Sequence, residues 1–214
     1  MKQELLFLQN VFTPNETKEI VDKFKNVKNK MSVVGKANEL QYLRIADGLW
    51  IMDTDYQLVE RFKDIVVGIT GIPKTHQENP HFVKYKVGGE YKPHYDSFHT
   101  LDPKLNPEAP NGGQRLFSCL LYLNDDFEGG ETIFPIKNVS FKPKNGSILF
   151  WRDTDDNGNM AKNSLHAGLP VTKGTKYILV IWVREKPCPL NPLNSKPVKF
   201  EYKNVIKSKA IKKI

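Results

Sequence analysis

Beyond Pro80 the chain breaks into short β-prone runs with no helical interlude, and no other feature narrows its fold as far. The runs occupy residues 81–87, 91–97, 115–123, 132–135, 147–151, 164–169 and 176–184. Gly88-Gly89, Asn124-Asp125, Gly129-Gly130, Asn145-Gly146 and Lys173-Gly174 punctuate them as turns. Seven or eight strands in series predict a sandwich or jelly roll, an all-β core that any helices must flank. Two irregular stretches interrupt the pattern, 98–113 and 153–163. The first is too long for a mere connector and reads as a lid.

Two helical signals precede the strands. Thr13-Pro14-Asn15-Glu16 combines a capping hydroxyl, a first-turn proline and a capping-box glutamate. Ile20, Val21, Phe24 and Val27 then make one apolar stripe. A second helix is expected to begin after Asp53, with Leu58, Phe62, Ile65 and Ile69 on its buried face and Gly71 and Pro73 at its end. Both helices should lie against one sheet.

At 214 residues, 39% hydrophobic and 11% aromatic, the chain can bury a sizeable core and fits a single domain. Its formal charge of +8 is unevenly placed: from Lys196 to Ile214 seven lysines face one acid, Glu201, so the rest is nearly neutral. A solvated terminus accounts for that tail. No arginine-rich or aromatic-interleaved stripe accompanies it, so nucleic acid is not an expected partner. The first residues lack the apolar core of a signal peptide, and no apolar run approaches the roughly 18 residues of a membrane helix. Cys119 and Cys188 make neither a disulfide framework nor a metal pair. A cytoplasmic, reducing setting without membrane attachment is expected. A monomer meets every requirement of the sequence, which leaves the oligomeric state open.

The chemistry concentrates in Tyr91-Lys92-Pro93-His94-Tyr95-Asp96. On a strand, residues two apart share a face, so the imidazole of His94 and the carboxylate of Asp96 should converge. His166, in Asn163-Ser164-Leu165-His166-Ala167-Gly168, is the candidate third ligand, from a distant strand facing the same interior. Two neutral imidazoles and one carboxylate on one face of an octahedron leave three positions open, which suits ferrous iron in an oxygenase and not a closed structural zinc site. Lys176, ten residues beyond His166, is expected on the next strand, projecting into the same barrel. A lysine aimed into an apolar barrel is costly unless it meets an anion. A dicarboxylate chelating the metal at one end, such as 2-oxoglutarate, would offer one at the other, with dioxygen taking the last position. His76-Gln77-Glu78 is a comparable short pair, but it lies in a polar, proline-flanked stretch with no strand to aim it. His81 and His99 read as exposed or structural histidines.

The chain resembles the prolyl 4-hydroxylases of the 2-oxoglutarate and iron dioxygenase superfamily over roughly residues 44–184. The resemblance rests on whole runs: Tyr85-Lys86-Val87-Gly88-Gly89-Glu90-Tyr91-Lys92-Pro93-His94-Tyr95-Asp96, Gly113-Gln114-Arg115, Tyr122-Leu123-Asn124-Asp125, Gly129-Gly130-Glu131-Thr132 with Phe134-Pro135, Leu149-Phe150-Trp151, and Ser164-Leu165-His166-Ala167-Gly168. It implies a double-stranded β-helix with helices packed on the larger sheet. It implies metal binding by His94, Asp96 and His166, 2-oxoglutarate binding by Lys176, Tyr85 and Tyr122, and contact with a proline-containing peptide or protein by Tyr91, Arg115 and Trp182. Core packing competes for Trp182, and a rim salt bridge competes for Arg115. On this resemblance the chain divides into a supporting strand and helix region (1–79), a catalytic double-stranded β-helix (80–187) and a basic tail (188–214), within one structural domain.

The activity so implied is hydroxylation of prolyl C4, dependent on Fe(II), 2-oxoglutarate and O2, with ascorbate as reductant and release of succinate and CO2. Asp96 disfavours halogenation, since related halogenases lack this carboxylate. Lys176 separates the chain from the many relatives that place arginine there. Leu169 stands where the family often has cysteine, and Val180-Ile181 precede Trp182 where a Thr-Lys pair is common. Two other readings stay open: the same chemistry on a free amino acid, another protein residue or nucleic acid, and a non-catalytic cupin-like binder.

Overall fold

A strand buried on both faces needs apolar side chains at nearly every position, and the chain supplies them in Ile-Leu-Phe-Trp (148–151) and Tyr-Ile-Leu-Val-Ile-Trp-Val (177–183). In the computed structural model both runs are central strands. The structure describes residues 4–27, 30–31, 44–52, 56–102, 104, 112–188 and 212–213. The strands are β1 (Leu5–Leu8), β2 (Lys30–Met31), β3 (Asp47–Trp50), β4 (His81–Tyr85), β5 (Tyr91–His94), β6 (Arg115–Tyr122), β7 (Glu128–Gly129), β8 (Thr132–Phe134), β9 (Val139–Phe141), β10 (Ile148–Arg152), β11 (His166–Gly168), β12 (Val171–Lys173), β13 (Lys176–Arg184) and β14 (Lys212–Lys213). Two helices, α1 (Pro14–Phe24) and α2 (Gln57–Thr70), complete the frame.

The larger sheet runs β1-β10-β6-β13-β4-β3-β2, the smaller β14-β9-β8-β11-β5, and β12 pairs with β7. Every pairing is antiparallel. Alternation along the central strands builds two cores. Leu120, Tyr122, Leu149, Trp151, Ile178, Val180 and Trp182 point inward and meet Phe134, Val139 and Phe141 of the smaller sheet. Their neighbours Cys119, Leu121, Ile148, Phe150, Leu179, Ile181 and Val183 point outward and meet Ile20 and Phe24 of α1 and Val59, Phe62, Ile65, Val66 and Ile69 of α2. This is the expected double-stranded β-helix, with both helices laid on its larger sheet. Among the described residues no helix is long and apolar enough to cross a membrane.

The capping box forms as read. The Thr13 hydroxyl accepts from the Glu16 amide at 3.3 Å, and the Thr13 amide donates to the Glu16 carboxylate at 2.8 Å. Helix α1 nevertheless stops at Phe24, capped at Lys25, so Val27 falls outside it and is 43% exposed. Helix α2 ends at Gly71 in the left-handed conformation, φ 72°, as the glycine suggested. Its start is Gln57, after Asp53 as expected, while Asp53 itself lies outside the described residues.

The strand boundaries differ at three points that bear on the site. The run 91–97 is strand only to His94, and Asp96 lies in a bend beyond it. In the run 164–169 only His166–Gly168 is strand, because Lys162–Ser164 forms a 3-10 turn. Strands β3, β7, β9 and β12 have two to four residues each and lacked a readable pattern. The middle of the expected lid, residues 103 and 105–111, and residues 189–211 of the tail lie outside the described residues. Both ends of the lid stretch are anchored: Gln114 donates to the Phe98 carbonyl at 2.9 Å and accepts from the Phe98 amide at 2.6 Å.

Candidate metal and oxoacid site

His94 and His166 face each other directly in the β5–β11 pairing. Each ring places Nδ1 against a backbone carbonyl two residues earlier, His94 on Lys92 at 2.8 Å and His166 on Ser164 at 2.9 Å. A ring that donates from Nδ1 keeps its proton there, so both Nε2 lone pairs are left to face Asp96. Nε2 of His94 lies 3.5 Å from Asp96 Oδ1, and Nε2 of His166 lies 3.6 Å from Oδ2. The three candidate ligand atoms all fall within 4.8 Å of one another. The expected convergence is therefore present, but strand pleating does not produce it. Strand β5 has ended by Asp96, and the Ser118 hydroxyl, on β6 of the opposite sheet, meets Asp96 Oδ2 at 2.7 Å.

Packing fixes the rings. Tyr91 stacks on His94 with centroids 3.4 Å apart, and Trp151 lies 4.6 Å from His166. Burial, then the neighbouring His94, brings the His166 pKa down to about 4, so that ring is neutral near pH 7. Burial works against the charge on Asp96, yet His166 and His94, with Arg115 behind them, hold its carboxyl below the usual range. Two imidazoles and one carboxylate on one face are the donor set that ferrous iron takes in oxygenases.

Lys176 projects into the same cavity but not from the strand after β11, as expected from its spacing. The short β12 intervenes, and Lys176 opens β13 in the larger sheet, in register with Tyr85 of β4. It is 4% exposed and donates to the Gly130 carbonyl at 2.7 Å. Its ammonium lies 5.4 Å from the Tyr85 ring and 5.6 Å from the Tyr122 ring. Gly130 adopts φ 68°, a conformation that favours glycine, and a Cβ there would come 2.9 Å from Phe127 Cε2 and 3.1 Å from Lys176 Cδ. Burial brings the Lys176 pKa down to about 7, with the charge of Glu131 opposing it. An ammonium so placed is short of negative charge, and the far carboxylate of a dicarboxylate fits it.

The residues expected on the substrate side divide. Tyr91 and Trp182 line the cavity with the triad and Lys176. Arg115 stands one step back, bidentate to Glu78 at 2.6 and 2.7 Å, with its guanidinium 4.2 Å over Trp182. Glu78 of the rejected His-x-Glu pair thus serves an ion-pair cluster that Arg184 joins at 2.8 Å. His99 is exposed, whereas His81 is buried at 2% and stacks on Trp50 at 4.4 Å. Sequence reasoning missed Arg44, Thr132 and Trp151, all of which line the cavity. Arg44 lies 5.0 Å over Tyr91, and Thr132 accepts from the Tyr122 hydroxyl at 2.7 Å. Thr132 and Trp151 had a signal, since each has the parity of an inward-facing residue; Arg44, on a short bridge, had none.

The sequence profile of the 2OG-Fe(II) oxygenase superfamily matches residues 80–184, the span that holds all of these elements except Arg44, Trp50, His76 and Glu78. A protein of Acanthamoeba polyphaga mimivirus assigned as a prolyl 4-hydroxylase is 33% identical over 180 residues, 84% of this chain and 73% of that protein. The human prolyl 4-hydroxylase subunit alpha-1 is 30% identical over 161 residues, which are 72% of this chain but 30% of the subunit. The crystal structure of a viral collagen prolyl hydroxylase from Paramecium Bursaria Chlorella virus-1, in complex with 2-oxoglutarate, superposes with a TM-score of 0.67 at 25% identity, covering 86% of this chain and 97% of that one. The chain belongs to the 2OG-Fe(II) oxygenase superfamily, among its prolyl 4-hydroxylase-like members. It is an enzyme of that class, with Fe(II), 2-oxoglutarate and O2 as the family's metal and co-substrates.

Proposed function

We propose that this enzyme hydroxylates C4 of prolyl residues in peptides or proteins, with His94, Asp96 and His166 holding the iron and Lys176, flanked by Tyr85 and Tyr122, receiving the far carboxylate of 2-oxoglutarate. One oxygen atom of O2 enters the prolyl C–H bond and the other enters succinate, while CO2 leaves. Bound ferrous iron supplies the oxidising chemistry that an unactivated carbon demands. The chain's own residues bind and orient. Tyr91, stacked on His94, and Trp151, tilted against His166, hold the two imidazoles in place, and the apolar walls of Leu120, Ile178 and Val180 keep water from the reacting centre. Trp182 faces the cavity and Arg115, clamped by Glu78, holds that indole in place for a peptide.

The observation that carries the oxoacid reading is Lys176, a buried ammonium on a backbone carbonyl in the cavity of the triad. The prolyl target is supported by the relatives, whose names are prolyl hydroxylases. Incubation with Fe(II), ascorbate, 2-oxoglutarate and a library of proline-containing peptides should add one oxygen atom to proline, with one succinate released per hydroxyproline by mass spectrometry. Succinate release with no modified peptide across the library would sink the prolyl reading.

A further inference from the structure

Three polar side chains from three parts of the fold meet out of contact with water beside the triad. Asp96 is 7% exposed, and Ser118 and Asp153 are 0% exposed. The Ser118 hydroxyl lies 2.7 Å from Asp96 Oδ2 and 2.8 Å from Asp153 Oδ2. Asp153 follows β10 and is pinned by its backbone: its amide donates to the Leu116 carbonyl at 2.8 Å, and its carbonyl accepts from the Ala161 amide at 2.9 Å. Ser118 is fixed from both sides, opposite Trp151 of β10 and Trp182 of β13.

We propose that Ser118 and Asp153 are positioning residues for Asp96: a hydrogen-bonded chain from Asp153 through the Ser118 hydroxyl holds Asp96 Oδ2 and leaves Oδ1 to bind the metal. The proposal rests on the reading of Asp96 as a ligand. A carboxylate on a bend would otherwise turn about its last torsion, offering either oxygen or both. With Oδ2 committed, one oxygen and one orientation remain, as outer partners achieve for ligands generally.

The proton count sets the direction of the chain. A hydroxyl donates one hydrogen, and ionised carboxylates only accept. With a carboxyl oxygen on each side of Ser118, a second proton is required. A proton on Asp153 supplies it and leaves Asp96 ionised for the metal. In the proposed chain Asp153 donates to the Ser118 hydroxyl, which accepts that proton and donates its own to Asp96 Oδ2. An asparagine at 153 would preserve the same direction, because its amide donates too.

The test is binding of Co(II) or Mn(II), metals stable to air, to the full chain, followed through the fluorescence of Trp151, 4.6 Å from His166. Threonine and valine have the same shape, so Ser118→Thr against Ser118→Val isolates the hydroxyl from the volume. Ser118→Val and Asp153→Ala should bind the metal about 10–100-fold more weakly, while Ser118→Thr and Asp153→Asn stay close to wild type. Asp96→Ala separates the two ideas. If Asp96→Ala loses the metal while Ser118→Val keeps wild-type affinity, the positioning chain is wrong and the ligand stands. If Asp96→Ala also keeps wild-type affinity, both fall. Equal weakening in Ser118→Thr and Ser118→Val would mean that packing alone matters, which overturns the proposal as well.

Discussion

His166→Ala should abolish both metal binding and the iron-dependent decarboxylation of 2-oxoglutarate. The loss of an outer partner of a metal ligand costs about 10–100-fold in affinity, so the loss of a ligand itself should exceed about 100-fold. The effect should be that large because, among the described residues, no further metal-binding side chain joins His94, Asp96 and His166 in the cluster. The His166 ring faces His94 across β5–β11 and is packed by Trp151 at 4.6 Å and Phe134 at 5.7 Å, both unable to bind a metal. Calorimetric titration with Mn(II), together with succinate release, checks both halves. Full residual activity would remove His166 from the site.

Lys176→Met, which keeps the length of the side chain and discards the charge, should raise the KM for 2-oxoglutarate while leaving metal affinity near wild type. Truncating one member of a buried ion pair costs about 2–5 kcal/mol, or at least about 30-fold in affinity. A pH dependence should accompany the pair and vanish with it. The lysine must be charged to meet a carboxylate, and burial has brought its pKa down to about 7. Below that pH it is already protonated and affinity is flat. Above it each binding event must take up a proton, so affinity falls up to about tenfold per pH unit until the pKa of the bound state is reached. Measuring KM between about pH 6 and pH 9 should show this rise in wild type and a flat line in Lys176→Met. An unchanged KM in the variant would place the oxoacid elsewhere.

What the sequence made legible followed from periodicity and local chemistry. The β-prone, continuously apolar run 176–184 predicted a strand that lies in the structure between the same two residues. The capping box, the αL glycine at the end of α2 and the packing of both helices on one sheet all emerged as read. The convergence of His94, Asp96 and His166 was anticipated from a two-residue spacing, yet its cause was not. Asp96 has left the strand, and Ser118 from the other sheet meets it there. Residues 153–163 read as one irregular stretch, and only tertiary packing shows that Asp153 turns inward while Asp155 and Asp156 stay outside. Lys176 was assigned to the wrong neighbour for a related reason: β12 has three residues and too little pattern to be counted. Arg115 and Glu78, 37 residues apart, could be paired only by the fold.

The placement of Lys176 in the larger sheet, opposite a triad carried at the end of the smaller one, has a further consequence. Stacked sheets keep a separation of about 10 Å that side chains in both cores enforce. On the proposed reading the two ends of the oxoacid are grasped from opposite walls, so the spacing of the walls acts as a caliper. Selectivity among oxoacids by chain length would then be a property of the scaffold, set by residues such as Phe134, Leu149 and Ile178 that never touch the ligand's charges.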